Sequence, residues 1–236
     1  MSKPIIAYAF DLAYLPYAKV STASVKRNAA GPLHIYWLMP EEDAYKVVAP
    51  DGVTLIPVAP FEPPTTWYIT PSHYLRWRIF DVLPEDRVIY LDADTLVQGD
   101  IKEVWDHPLA DTVVAGVKDP FCSSTANLRL KDWYIGTGVL LLDLKKLREE
   151  GALGKLLALS SNNYVWGEQC ALNVYAEGRK SYLPGTWNAY SFGERSVAHS
   201  KLIHFAWKNK PLKVGDSNPD AALWWRHYRR LICSRS

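Results

Sequence analysis

Along the chain, short apolar runs alternate with segments whose apolar positions recur every three to four residues, the pattern of strands interleaved with helices. Ile5 to Phe10 reads as a first strand, Leu15 to Asn28 as a helix, Leu33 to Leu38 as a second strand and Val53 to Val58 as a third. The chain therefore opens as a βαβ unit of the nucleotide-binding type. Pro60, Pro63, Pro64 and Pro71 predict an irregular loop from Ala59 to Pro71, with Trp67 and Tyr68 near its tip. A helix from Ser72 to Val82 follows, and Val88 to Leu91 suits a short buried strand. Further strands are expected at Val113 to Val117 and Val139 to Leu142, with helices near Lys145 to Glu150 and Glu168 to Ala176. No repeat, low-complexity tract or linker interrupts this order, which predicts one mixed α/β domain, a sheet flanked by helices, over residues 1–220.

The strand at Val88 to Leu91 runs directly into Asp92-Ala93-Asp94. Two carboxylates two residues apart on an extended backbone point to the same side, so both can reach one hard divalent cation. Such a cation can bridge the phosphates of a nucleotide sugar and neutralise charge on a leaving diphosphate. A solvated surface turn yields the same tripeptide. The position after an apolar strand favours a ligand site, because ligands of open α/β sheets gather at the carboxyl ends of strands.

Composition narrows the partners. The chain has 236 residues, 48% hydrophobic and 22% charged, enough to bury a sizeable core, and its formal net charge of +2 lacks the basic excess that nucleic acid demands. Cys122, Cys170 and Cys233 are odd in number and widely spaced, which suggests neither a disulfide frame nor a zinc site and fits a reducing compartment. Met1-Ser2-Lys3-Pro4 leads straight into a strand without a secretory apolar core, and no apolar run is long enough to span a bilayer, so a cytosolic protein is expected. Residues 221–236 add a separate signal. On a helical wheel of about 100° per residue, Trp224, Trp225, Tyr228, Leu231 and Ile232 share one arc and Arg226, Arg229 and Arg230 lie opposite. That helix suits peripheral contact with an anionic membrane from the cytosolic side, and ordinary packing on the domain is the competing reading.

Beyond these single features, a series of segments in fixed order resembles glycosyltransferase family 8. Ala9-x-Asp11-x-x-Tyr14 is similar to the family's uracil-binding opening, and Ser24 and Asn28 match its first helix. Tyr74-x-Arg76, Leu83-Pro84 and Val88 to Asp94 resemble its central block. Gly138 to Leu141 with Asp143-Leu144, Glu168-Gln169 with Leu172-Asn173, Trp187-Asn188, and His204-Phe205 with Lys210-Pro211 complete the series, from about residue 5 to 212.

The resemblance implies a GT-A fold and transfer from a UDP-sugar to a glycan or glycolipid acceptor, with retention at the anomeric carbon. Asp92, Asp94 and His204 would hold Mn²⁺ or Mg²⁺, imidazole favouring Mn²⁺. Lys210 would lie on the donor phosphates, Asp11 would accept from the uracil N–H, Tyr14 would cover the base, and Ala93 would line the donor site. Arg76 would offer its guanidinium fork to phosphate or sugar oxygens. Glu168 could act as nucleophile, whereas Gln169 could only stabilise positive charge through its carbonyl or orient the sugar. Asp119 would face the acceptor.

Several positions depart from the family pattern: Gly136 stands in place of Asn, Glu168 in place of Asp, Trp207 and Leu212 in place of Gly and Trp, and Ala13 in place of a polar residue. Two other classes compete. Leu91 to Leu96 superficially resembles a haloacid dehalogenase phosphohydrolase motif, but its threonine comes one place too early. The 10 Trp and 14 Tyr would also suit a non-catalytic carbohydrate-binding protein, although aromatic content alone more often reflects core packing.

Overall fold

A computed structural model describes residues 3–64, 70–162, 164–192, 196–214 and 218–233. Trp67 and Tyr68, expected at a loop tip, lie outside the described residues. The strands in chain order are β1 (Ile5–Ala9), β2 (His34–Pro40), β3 (Val53–Val58), β4 (Arg87–Leu91), β5 (Thr95–Val97), β6 (Val114–Lys118), β7 (Ile135–Asp143), β8 (Lys180–Leu183), β9 (Ala189–Tyr190) and β10 (Leu202–His204). The helices are α1 (Leu15–Asn28), α2 (Glu41–Ala44), α3 (Pro71–Val82), α4 (Lys102–Trp105), α5 (Pro120–Thr125), α6 (Leu144–Glu149), α7 (Ala152–Ser160), α8 (Gly167–Tyr175), α9 (Pro211–Val214) and α10 (Ala221–Cys233).

Seven strands form the main sheet in the order β3-β2-β1-β4-β7-β6-β8, and β7 alone runs against the others. The central strands are buried along their lengths, which is why β4 and β7 read as nearly continuous apolar runs. The expected α/β sheet flanked by helices is thus the observed architecture. It differs at β7, which begins at Ile135 instead of Val139: Gly136, Thr137 and Gly138 look turn-like in sequence but are buried strand.

A second, three-stranded sheet, β5-β10-β9, builds the site. Because β5 starts immediately after Asp94 and pairs antiparallel with β10, Thr95 faces His204 across the ladder. The Phe205 N–H donates to the Asp94 carbonyl at 3.0 Å. Residues far apart in sequence are thereby fixed side by side. From the other side α1 secures β5: the Ser24 hydroxyl accepts from Val97 N at 2.9 Å and the Asn28 amide donates to Val97 O at 3.0 Å.

The amphipathic helix α10 docks its aromatic arc on the domain. Trp224 is fully buried, its ring 5.5 Å from Tyr17 of α1 and 5.1 Å from Tyr228, while Trp225, Tyr228 and Leu231 pack against the core. The membrane reading required that arc to be free. Packing uses it instead, and leaves Ile232 and the arginines outermost. Among the described residues no helix is long and apolar enough to cross a membrane.

Candidate active site

A cavity of about 410 Å³ opens beyond the carboxyl ends of β1 and β4. Of the residues singled out in the sequence, Asp11, Tyr14, Arg76, Asp92, Ala93, Asp94, Glu168, Gln169, His204 and Lys210 all line it. Asp119 stands behind the wall, buried at the N-terminus of α5, where its carboxylate accepts from Cys122 N at 2.9 Å and from the Tyr190 hydroxyl at 3.0 Å.

One ligand atom from each of Asp92, Asp94 and His204 lies within 4.8 Å of the others. Each side chain is held by partners that leave the inward atom available. Asp92 Oδ1 accepts from the Tyr90 hydroxyl at 2.6 Å and faces Arg76 at 3.2 Å, so Oδ2 turns toward His204 Nε2, 3.7 Å away. His204 Nδ1 lies 2.9 Å from Asn188 Oδ1, which requires a proton on Nδ1 and turns Nε2 toward the carboxylates. Asp94 Oδ1 is 3.3 Å from that Nε2. Burial works against the charge of Asp94, but Lys210 and His204 outweigh it and hold its carboxyl well below the usual carboxylate range. Gly138 makes room for the imidazole: a Cβ there would sit 2.3 Å from His204 Cε1. Two carboxylates and an imidazole, packed this tightly around a shared space, fit a divalent cation.

Other expected ligand-binding groups engage the protein itself. Lys210 pairs with Asp94 and lies 5.2 Å from the Tyr14 ring centre. Burial works to lower its pKa, but Asp94 and Tyr14 raise it further. Arg76 donates to the carbonyls of His73 and Thr137 at 3.1 Å each and bridges Asp92 to Glu168, 3.7 Å away. Asp11 accepts from Ala13 N at 3.1 Å and from the Ser72 hydroxyl at 2.7 Å. Glu168 is buried, which raises its pKa against the opposing pull of Arg76, and its Oε2 has no hydrogen-bond partner among the described residues. The Gln169 carbonyl, expected either to stabilise positive charge or to orient the sugar, accepts from the Thr137 N–H and hydroxyl at 3.0 and 3.1 Å. Its side chain also hydrogen-bonds the Cys122 thiol and the Tyr134 hydroxyl.

Two departures acquire a physical reason. A Cβ at Gly136 would meet the Tyr190 hydroxyl at 2.7 Å and the Asn188 amide at 3.2 Å, so those groups occupy the space of the missing side chain. Trp207 adopts φ +57°, the left-handed region that a glycine would enter without strain. Asn188 and Tyr190 were not identified as site residues from sequence. Trp187-Asn188 marks a segment, but only the tertiary structure shows its amide against His204.

The model of the family described as "Glycosyl transferase family 8" matches residues 5–213. The chain belongs to this family. Curated relatives carry glycosyltransferase names. Glycosyltransferase GlyF of Streptococcus pneumoniae is 28% identical over 67% of this chain and 42% of its own length. Lipopolysaccharide 1,2-glucosyltransferase of Escherichia coli K12 is 32% identical over 63% of this chain and 51% of its own length. The chain thus spans about half or less of either relative. Among solved structures, LgtC with donor and acceptor sugar analogues superposes with a TM-score of 0.74 at 18% identity, covering 96% of this chain and 95% of that one. GlyE of S. pneumoniae TIGR4 superposes with a TM-score of 0.74 at 22% identity, over 96% and 61%. These neighbours share the GT-A fold.

Proposed function

We propose that this family 8 chain transfers a hexose-type sugar from a UDP-sugar to a glycan or glycolipid acceptor with retention. The observation that supports it most is the cluster of Asp92, Asp94 and His204 at the floor of a cavity that Lys210 and Tyr14 also enter. A divalent ion held there, Mn²⁺ in preference to Mg²⁺, would offset charge on the departing diphosphate. Asn188 fixes the tautomer that presents Nε2, and Arg76 with Tyr90 turns one oxygen of Asp92 inward. Lys210 brings an ammonium to the same floor, where diphosphate oxygens can share it with Asp94. Tyr14 offers a ring for the base and Asp11 an acceptor for its N–H.

Retention requires either a protein nucleophile on the far face of the sugar or attack from the leaving-group side. Glu168 supplies a buried oxygen without a hydrogen-bond partner among the described residues for the first route or for a sugar hydroxyl, and Gln169 at the cavity wall stabilises positive charge or orients the sugar. Asp119 acts on the acceptor side through the Tyr190 hydroxyl. Any contact with an anionic membrane would run through Arg226, Arg229 and Arg230 as a charge interaction, since the aromatic arc of α10 is docked.

The test is release of UDP from UDP-glucose, UDP-galactose and UDP-N-acetylglucosamine, with Mn²⁺ and with chelator, followed by NMR of the anomeric centre in the product. Mn²⁺-dependent UDP release with α-configured product is expected. Phosphate release from p-nitrophenyl phosphate without turnover of any nucleotide sugar would instead support a phosphohydrolase.

A further inference from the structure

Four aromatic rings crowd one rim of the cavity and take no part in the roles assigned above. Trp207 is their hub: its ring centre lies 4.7 Å from Phe121, 5.6 Å from Trp166 and 5.6 Å from Phe192. Trp166 and Trp207 are stacked within 10° of parallel. All four line the cavity, and Phe121, Phe192 and Trp207 are 45%, 38% and 45% exposed. Large rings left this open and gathered at a pocket mouth mark a binding surface, because a core would have covered them. The backbone supports the same conclusion. Trp207 holds a bulky side chain at φ +57°, a strained conformation that tends to persist where a site needs it.

The rings are continuous with the proposed reaction centre. The Tyr190 ring lies 5.2 Å from the His204 imidazole and stacks on Phe192 at 5.4 Å, and its hydroxyl donates to Asp119. Polar groups border the row: the Trp166 indole N–H donates to the Thr125 hydroxyl at 2.9 Å, and Asp119 lies behind Tyr190. We infer that this row is an acceptor subsite for a pyranose ring, whose apolar C–H face rests on Trp207 and Phe121 while its hydroxyls meet the polar border. The inference rests on the transferase reading for the word acceptor. A pyranose offers weakly positive C–H groups on one face and hydroxyls around its edge, which matches electron-rich ring faces beside polar groups. A patch only a few rings across suits one or two sugar units, whereas an acyl chain needs a long continuous apolar channel.

The experiment titrates the full chain, with UDP and Mn²⁺ bound, with methyl glucopyranoside, methyl galactopyranoside and methyl mannopyranoside. Tryptophan emission and saturation-transfer NMR are the readouts. At least one pyranoside should bind, and its affinity should fall by about 10-fold or more in Phe121→Ala and in Trp207→Gly. Phe121→Ala should keep its affinity for UDP with Mn²⁺ within about 3-fold, which separates a lost platform from a misfolded chain. The inference is overturned if the UDP-bound protein takes up none of the three pyranosides, if both variants bind them as the parent does, or if n-octyl phosphate binds at these rings in their place. If UDP with Mn²⁺ does not bind but a pyranoside still does so through these rings, the transferase reading fails and the sugar platform stands.

Discussion

Gly138→Ala tests the metal centre without replacing a ligand. The added methyl would lie 2.3 Å from His204 Cε1 and 2.6 Å from Nδ1, where ordinary contact begins at 3.4 Å. The imidazole must therefore retreat by about 1 Å, several times the roughly 0.2 Å tolerance of a metal–ligand distance. The retreat would also strain the Nδ1 bond to Asn188 that fixes the tautomer. We expect Mn²⁺ affinity to fall about 100-fold or more, near 2.7 kcal/mol, and turnover to fall with it. Overpacking should destabilise the fold by about 1–3 kcal/mol, a Tm loss of order 2–4 °C per kcal/mol that leaves the protein folded at assay temperature. Calorimetric titration with Mn²⁺ measures the first effect and thermal unfolding the second. Gly154→Ala is the control: nothing lies within 4 Å of its added methyl on α7, and Mn²⁺ affinity should be unchanged. A folded Gly138→Ala protein binding Mn²⁺ within about 3-fold of the parent would refute a metal centre built from His204 and Asp92, whose Oδ2 lies 3.3 Å from the same methyl.

Other expected outcomes follow from the same contacts. Gly136→Ala should cost about 1–3 kcal/mol in urea unfolding because its methyl meets the Tyr190 hydroxyl, and much less in a Tyr190→Phe background; strictly additive effects would contradict that contact. Burial raises the pKa of Glu168, so the folded chain holds this proton more tightly than the unfolded one, and the stability it contributes is present at low pH and lost as pH rises through the folded value. Glu168→Gln should therefore raise Tm at pH 7.5, with the gain vanishing near about pH 4, whereas a lower Tm at pH 7.5 would mean that Arg76 outweighs burial. On vesicles containing anionic lipid, binding should be weak and abolished by moderate salt, since α10 leaves exposed its arginines and, of its large apolar side chains, Ile232 alone; salt-resistant binding would show the aromatic arc undocking.

The sequence made the parallel half of the sheet and the Asp92–Asp94 pair legible because both follow from local periodicity. Residues Leu15–Asn28 and Val53–Val58 have the boundaries their patterns predict. The three short strands β5, β9 and β10 left no such trace, since two or three residues carry no period. Yet it is their pairing that carries His204 to the carboxylates. The first half of β7 was hidden for a related reason. Gly136 and Gly138 suggest a turn, but their missing side chains make room for Tyr190 and His204, a tertiary demand invisible along the chain. The amphipathic period of α10 was plain in the sequence; what covered its aromatic face was not.

The central claim is that Asp92, Asp94 and His204 form one metal-dependent nucleotide site. It is tested most directly by calorimetric titration of the full chain with UDP, with and without Mn²⁺, in parallel with Asp92→Asn. UDP affinity should rise about 10-fold or more when Mn²⁺ is present, and the variant should lose that gain. UDP binding that ignores Mn²⁺, or an equal gain in the variant, would contradict it.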